Sequence, residues 1–386
     1  MMRVAYICLD PGIPVFGTKG ASVHVQEVLR ELRALGHDVV LYTARLGEHV
    51  PDDLTDLPVR TVEVTGATTA EREQAQGRAA QQVAQMVAAD GADLVYERYS
   101  LFSDTLARVV TGSETISGVL EVNSPLVEEQ RQHRELVDQE RAWDVLAAQV
   151  GAASATACVS EPVAAWVRQH ARAADPGHAD AGSRRVITVP NGVSVRRIQP
   201  QPEDPHQVVV TFVGTLKPWH GVSDLLSAAS LAQVPWSLRI IGSGPQMPAL
   251  RSQAAELGLD VDFRGAVAPQ DMPDHLAGSA IGVAPYPDLG GEEQQYFSPL
   301  KVLEYLACGL PVVASAVGQV PQLLEGLGTL VPPSDPHSLA QAIDALAADP
   351  SQRAQVGALG RRRAEQRHSW AGVVATILDA AGVGRA

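Results

Sequence analysis

The stretch Tyr296-Phe297-Ser298-Pro299-Leu300-Lys301-Val302-Leu303-Glu304-Tyr305-Leu306-Ala307-Cys308-Gly309-Leu310-Pro311-Val312-Val313-Ala314-Ser315 holds a helix, a strand and the punctuation between them. Pro299 suits the first turn of a helix, Gly309 its C-terminal cap, and residues 311–314 a buried strand. A helix feeding a short apolar strand is half of a βαβ unit, so the stretch predicts a parallel sheet. Lys301 and Glu304 lie three apart, on one helical face. As a surface ion pair they would contribute little. As a site, the lysine can meet phosphate while the carboxylate takes two vicinal ribose hydroxyls.

Outward from this stretch the alternation of strands and helices runs almost the whole chain. In the second half strands are expected over 208–213, 237–241, 261–264, 280–284, 311–314 and 328–331. In the first half they are expected over 3–8, 38–43, 60–64, 93–96, 118–122 and 155–159. Helices are expected over 21–35 and 69–89, the latter rich in Ala, Gln and Glu, and one long charged helix over 126–150. The pattern pauses at Asp175-Pro176-Gly177 and again at Gln199-Pro200-Gln201-Pro202-Glu203-Asp204-Pro205, where proline density allows neither helix nor interior strand. A chain of 386 residues exceeds one ordinary core. The expectation is therefore two doubly wound α/β halves, with the proline-rich segment as linker and hinge. In such sheets ligands bind outside the carboxyl ends of the strands, and two facing halves enclose a cleft.

The loop after strand 208–213 reads Gly214-Thr215-Leu216-Lys217-Pro218-Trp219-His220-Gly221. Glycines let main chain approach a ligand, the following helix offers free N–H groups, and Lys217 adds a point charge, a combination that fits diphosphate. The order G-x-x-x-x-G-K-[ST] of a Walker A loop is absent. Lys19, Lys217 and Lys301 are the only lysines among thirty basic side chains, and each precedes an expected helix. A cation there opposes the helix dipole by about 0.3–1 kcal/mol unless an anion lies between them, and a compact ammonium rather than a planar fork was kept.

Composition narrows the function class. The net charge of −14 argues against nonspecific adhesion to nucleic acid or anionic lipid. Arg361-Arg362-Arg363 reads as a solvated helix face. No run is long enough to span a membrane and no signal-peptide pattern follows Met1. Cys8, Cys158 and Cys308 form no metal or redox motif and read as buried thiols of a cytoplasmic protein.

With these residues in view, the chain resembles the family 4 glycosyltransferases, retaining enzymes of the GT-B fold. The specific part is residues 303–315. Supporting pieces come in the family's order: 20–25, Val159-Ser160-Glu161, Val189-Pro190-Asn191-Gly192-Val193, the 214–221 loop, Ile241-Gly242-Ser243-Gly244-Pro245 and Phe263-Arg264-Gly265-Ala266-Val267. The resemblance implies an acceptor-binding Rossmann-like domain over 1–195, a nucleotide-sugar domain over 196–368, and a final helix, 369–386, returning to the first domain.

It further implies that Glu304 holds the donor ribose, that main chain near Ala266 and Val267 recognises the base, and that the amide of Gly20 faces the diphosphate, with Lys19 beside it. Gly214, Thr215, His220, Ser298 and Leu300 complete the donor set, and His24 matches a histidine of the family's first helix, a catalytic group or a half-buried surface histidine. Three departures stand out. Thr215 and His220 occupy positions where the family usually has Arg and Lys, so Lys217 and Lys301 must supply the charge. The partner of the family's paired glutamates falls on Tyr296, with Glu292 or Glu293 upstream as substitutes. Asn123-Ser124 stands where many relatives carry a histidine.

The chemistry that follows is departure of a nucleoside diphosphate, with Lys217 and Lys301 stabilising charge on the β-phosphate, no metal required, and same-face attack by the acceptor. Asp260-Val261-Asp262 superficially matches a metal motif of another fold and reads as structural. The acceptor is expected in the N-terminal half, near Asp10, Glu97, Arg98, Tyr99, Glu121, Asn123, Ser124, Glu128 and Glu129. That acidic set suggests a soluble hydroxylated molecule, including a cationic aminocyclitol of secondary metabolism. The rival readings are a nicotinamide dehydrogenase, disfavoured by the missing G-x-G-x-x-G after the first strand, an epimerase or phosphorylase of the same fold, and a catalytically silent GT-B subunit.

Overall fold

The computed structural model describes residues 1–174, 185–291 and 295–383. The chain forms two compact units, Met1–Pro190 together with Trp370–Ala386, and Asn191–Ser369. The division thus falls between 190 and 191 rather than at 195, and the last helix is counted with the first unit.

The first unit is a seven-stranded parallel sheet of β1 (Arg3–Cys8), β2 (Asp38–Thr43), β3 (Val59–Thr61), β4 (Leu94–Arg98), β5 (Ser117–Val122), β6 (Ala155–Cys158) and β7 (Val186–Thr188). Their order is β3-β2-β1-β4-β5-β6-β7. β7 was not anticipated, because three residues carry too little periodicity to read. The second unit holds β8 (Val209–Val213), β9 (Ser237–Ile241), β10 (Val261–Gly265), β11 (Ile281–Ala284), β12 (Val312–Ser315) and β13 (Gly328–Val331), ordered β10-β9-β8-β11-β12-β13, all pairs parallel. Central strands such as β8 and β12 are buried along their whole length, as expected where helices cover both faces. In each sheet the order reverses beside the first strand, between β1 and β4 and between β8 and β11. Those are the points where such sheets open a crevice for ligands.

The helices are α1 (Gly20–Ala34), α2 (Thr69–Asp90), α3 (Thr105–Val110), α4 (Leu126–His133), α5 (Gln139–Ala152), α6 (Glu161–Ala174), α7 (Val222–Ser230), α8 (Met247–Glu256), α9 (Met272–Leu276), α10 (Leu300–Ala307), α11 (Val320–Leu323), α12 (Pro336–Ala348), α13 (Pro350–Arg367) and α14 (Trp370–Ala380). Among the described residues no helix is long and apolar enough to cross a membrane.

Three expectations are corrected. The single helix over 126–150 is two, α4 and α5. The amides of Val137 and Asp138 donate to the Glu73 carboxylate at 2.8 and 2.9 Å, and Asp138 then caps α5 by accepting from the Arg141 amide. The proline-rich segment is no free hinge. Glu203 pairs with Arg353 at 2.7 Å, and Asp204 N–H donates to the Gly278 carbonyl at 3.0 Å, so the segment is strapped within the second unit. Arg361 is not solvated either. Its guanidinium donates to the carbonyls of Val195, Ile198 and Ala307, closing the C-terminal end of α10, as a cation there should. The three cysteines are free and buried, and burial pushes each thiol up to about 12.

Candidate functional site

In the second unit the crevice between β8 and β11 is floored by Tyr305 of α10. The Val213 amide, last of β8, donates to its phenol oxygen at 2.7 Å, and the phenol donates to the Val283 carbonyl of β11 at 3.2 Å. One side chain thus bridges the two strands where the order reverses. Above it lies Lys301, one turn earlier on the same helix and only 7% exposed.

The Lys301 Nζ sits 4.2 Å from the Phe212 ring centroid and 4.8 Å from that of Tyr286. Among the described residues it has no hydrogen-bond partner. A Cβ added to Gly214 would come within 3.0 Å of it, so the ammonium rests against bare main chain where the loop leaves β8. Burial pulls its pKa down from 10.5 to about 7, over the opposing pull of Glu304. A buried unpaired amine is costly to the fold, and its natural complement is an anion.

The 214–221 loop frames this point. Gly214 N–H donates to the Ile241 carbonyl at 2.9 Å and Leu216 N–H to that of Ser243 at 3.0 Å, which ties the loops after β8 and β9 together. Gly221 has φ +67°, and a Cβ there would overlap the Pro285 carbonyl oxygen, so only glycine lets the loop meet the segment after β11. The His220 Nδ1 contacts the Thr215 carbonyl oxygen. Burial, then the nearby Lys301 and Lys217, hold this imidazole near 3, so His220 is neutral and supplies no positive charge. Lys217, half-buried, places its Nζ 4.5 Å over the Trp219 ring. Ala266 and Val267 follow β10 at the same carboxyl edge.

Of the donor set named from sequence, Gly214, Thr215, His220, Lys217 and Lys301 are brought together, with Leu300 and Glu304 on the same helix as Lys301. Ser298 is turned elsewhere: its hydroxyl accepts from the Asn191 amide, and the Asn191 side chain donates to its carbonyl, both at 3.0 Å. That pair accounts for Asn191 and locks the start of α10. Tyr296 is half-buried, and Glu292 and Glu293 lie outside the described residues. Phe212, Tyr286 and Tyr305 were missed, since aromatics in apolar strand and helix runs read as core. Asp262 pairs with Arg239 at 3.1 Å and Arg264 at 2.9 Å, which gives the Asp260-Val261-Asp262 run a structural role.

At the β1/β4 reversal of the first unit, Glu121 is 2% exposed and gathers four groups. Tyr96 donates to it at 2.7 Å, Arg98 at 3.1 Å and the Asn123 amide at 2.5 Å. The His24 Nε2 lies 2.7 Å from a Glu121 carboxylate oxygen. Burial alone would raise the Glu121 pKa, but His24, Arg98 and Asn123 together hold it well below the usual range. His24 is enclosed between Glu121 and Trp370, whose ring lies 4.7 Å away edge-on. The Glu121 carboxylate is taken up by Tyr96, Arg98 and Asn123.

Glu97, expected near the acceptor, is turned into the fold. It is 0% exposed, accepts from the Ser103 hydroxyl and, at 2.6 Å, from the Leu106 amide in the first turn of α3. Burial raises it to about 7 against those bonds. Arg98 is nearly buried and Asn123 half-buried, while Lys19 and Gly20 are exposed at the start of α1.

Two parallel sheets with this strand order, the second carrying a cationic crevice framed by glycine, are the two halves of a GT-B type fold. Residues 18–197 match the model described as Glycosyltransferase Family 4 and residues 207–349 that described as Glycosyl transferases group 1. The chain belongs to the family 4 glycosyltransferases.

It is 32% identical over 198 residues to the GDP-mannose-dependent monoacylated alpha-(1-6)-phosphatidylinositol monomannoside mannosyltransferase of Corynebacterium glutamicum, covering 47% of this chain and 52% of that one. It is 30% identical over 233 residues to the D-inositol 3-phosphate glycosyltransferase of Kineococcus radiotolerans, covering 52% of each. The chain therefore spans about half the length of the curated relatives it matches. Sucrose-phosphate synthase from Thermosynechococcus elongatus shares the fold, with a TM-score of 0.72, 23% identity and 98% of each chain covered.

Proposed function

We propose that this protein is a retaining, metal-independent hexosyltransferase that moves a sugar from a nucleoside-diphosphate sugar to a hydroxyl of a small polyol acceptor. The observation that carries the donor half is Lys301, a buried amine without a partner at the strand-order reversal of the second unit. A diphosphate there would give Lys301 its counter-charge, Lys217 would add a second cation from the loop, and the amides at the start of α7 would face the same anion. As the glycosidic bond breaks, negative charge builds on the β-phosphate, and cations fixed in advance stabilise that transition state more than the ground state. Glu304 would take the ribose hydroxyls.

The acceptor half rests on Asn123 and Arg98, which Glu121 orients at the carboxyl ends of β4 and β5. Both relatives named above carry inositol in their descriptions, which supports a cyclitol-like acceptor. The narrower idea of a cationic aminocyclitol in secondary metabolism has lost part of its basis, because Glu97 and Glu121 are consumed inside the fold.

Thermal-shift and calorimetric titration with UDP, GDP, ADP and TDP sugars, followed by product analysis with and without inositol or an aminocyclitol, tests this reading. One nucleotide should raise the melting temperature, and Lys301→Ala should weaken its binding at least about ten-fold, the scale of a lost charge-assisted contact. Absence of binding by any nucleotide, or unchanged affinity in Lys301→Ala, would refute it.

A further inference from the structure

Trp219 stands outside both buried clusters of the second unit: 44% of it is exposed, and its ring lies edge-on to that of His220 at 6.4 Å. It is nevertheless held in a defined place. Lys217 is extended, with φ −123° and ψ 156°, and Pro218-Trp219-His220 then forms a single 3-10 turn closed by the left-handed Gly221. That turn brings residues 217 and 219 to the same side, with the Lys217 Nζ 4.5 Å over the indole. Among the described residues no carboxylate pairs with Lys217, so the ring face is the group that holds the ammonium. His220, next in the turn, feels both Lys217 and Lys301, which places the two cations around one point.

We infer that Trp219 is a positioning residue for the donor's diphosphate, acting through Lys217, whose ammonium it holds beside the site already charged by Lys301. This rests on the donor reading above. A lysine on a surface loop has four freely rotating side-chain bonds, and much of its interaction with an incoming anion is lost to ordering them. An aromatic face that accepts the cation before the ligand arrives narrows that search, and it does so without neutralising the charge as a carboxylate would. The arrangement also explains how this loop operates with Thr215 and a neutral His220. One surface lysine, kept in place by an indole, contributes the second charge.

The test is a double-mutant cycle on the full chain, read as calorimetric affinity for whichever of UDP, GDP, ADP and TDP binds best. Trp219→Ala should weaken binding about two- to five-fold, the range of an exposed cation–π contact, and Trp219→Phe should fall between. In a Lys217→Ala background the same Trp219→Ala change should have no further effect. Melting temperatures of all variants, measured without nucleotide, should stay together because the indole packs on no core. Equal losses in both backgrounds, or tighter binding by Trp219→Ala, would overturn the inference while leaving the donor site intact. Failure of the unaltered protein to bind any of the four nucleotides would overturn the donor reading, and this inference with it.

Discussion

Lys301 is a lysine that the fold keeps from its usual proton, and the sign of the effect can be worked out. Burial holds its folded pKa near 7, against 10.5 for the free side chain. Below pH 7 folded and unfolded chains both carry the proton, and the folded state bears the whole penalty of an enclosed charge. Between 7 and 10.5 the unfolded chain binds more protons than the folded one, so this group makes stability rise with pH. Lys301→Met keeps a chain of similar volume and drops the charge. Urea denaturation without nucleotide should find the variant more stable than the parent at pH 6, with the gap narrowing toward pH 10. A gap that widened with pH, or a less stable variant at pH 6, would contradict the geometry. Glu121 is the opposite case, a buried carboxylate kept ionised by its neighbours, and its contribution is whole above the ordinary carboxylate pKa and is lost progressively as the pH falls below it.

At the scale of elements, α10 does two jobs: its buried face packs the second unit's core, and Tyr305 stitches β8 to β11 at the crevice. Tyr305→Phe would leave the Val213 amide buried and unpaired, which costs about 1–3 kcal/mol. The unfolding free energy from denaturant titration should fall by that amount with an unchanged slope, and a change within error would show that water replaces the phenol. The helix itself was legible because Pro299 and Gly309 punctuate it, and β1, β2, β9 and β13 run over the residues expected of them. Lys217 and Lys301 were legible through rarity. The break between α4 and α5 was not, since its cause is the Glu73 carboxylate, 64 and 65 positions away from the amides it accepts. The surroundings of Glu97 and Glu121 were illegible for the same reason. A carboxylate at a strand end looks solvent-facing until the partners that enclose it, from α1, β4 and α3, are known.

At the scale of the whole molecule, the chain leaves the first unit at Pro190, builds the second, and returns at Trp370. Thus α14, last in sequence, is part of a core begun by β1. Trp370 is almost fully buried and closes over His24, the residue whose ring leans on Glu121. Removal of so large a buried aromatic costs about 3–5 kcal/mol, and the cost should be confined to the unit that contains it. In Trp370→Ala, hydrogen exchange should show faster amides in β1, β5 and β6, while β8 to β13 keep their protection, because Trp370 belongs to neither buried cluster of the second unit. Acceptor turnover should fall more than nucleotide affinity, since the cluster that orients Asn123 and Arg98 is loosened and Lys301 is untouched. Loss of protection spread evenly over both sheets would mean that the two units unfold as one, and that the returning helix is a clasp for the molecule and not a local part of the first sheet's packing.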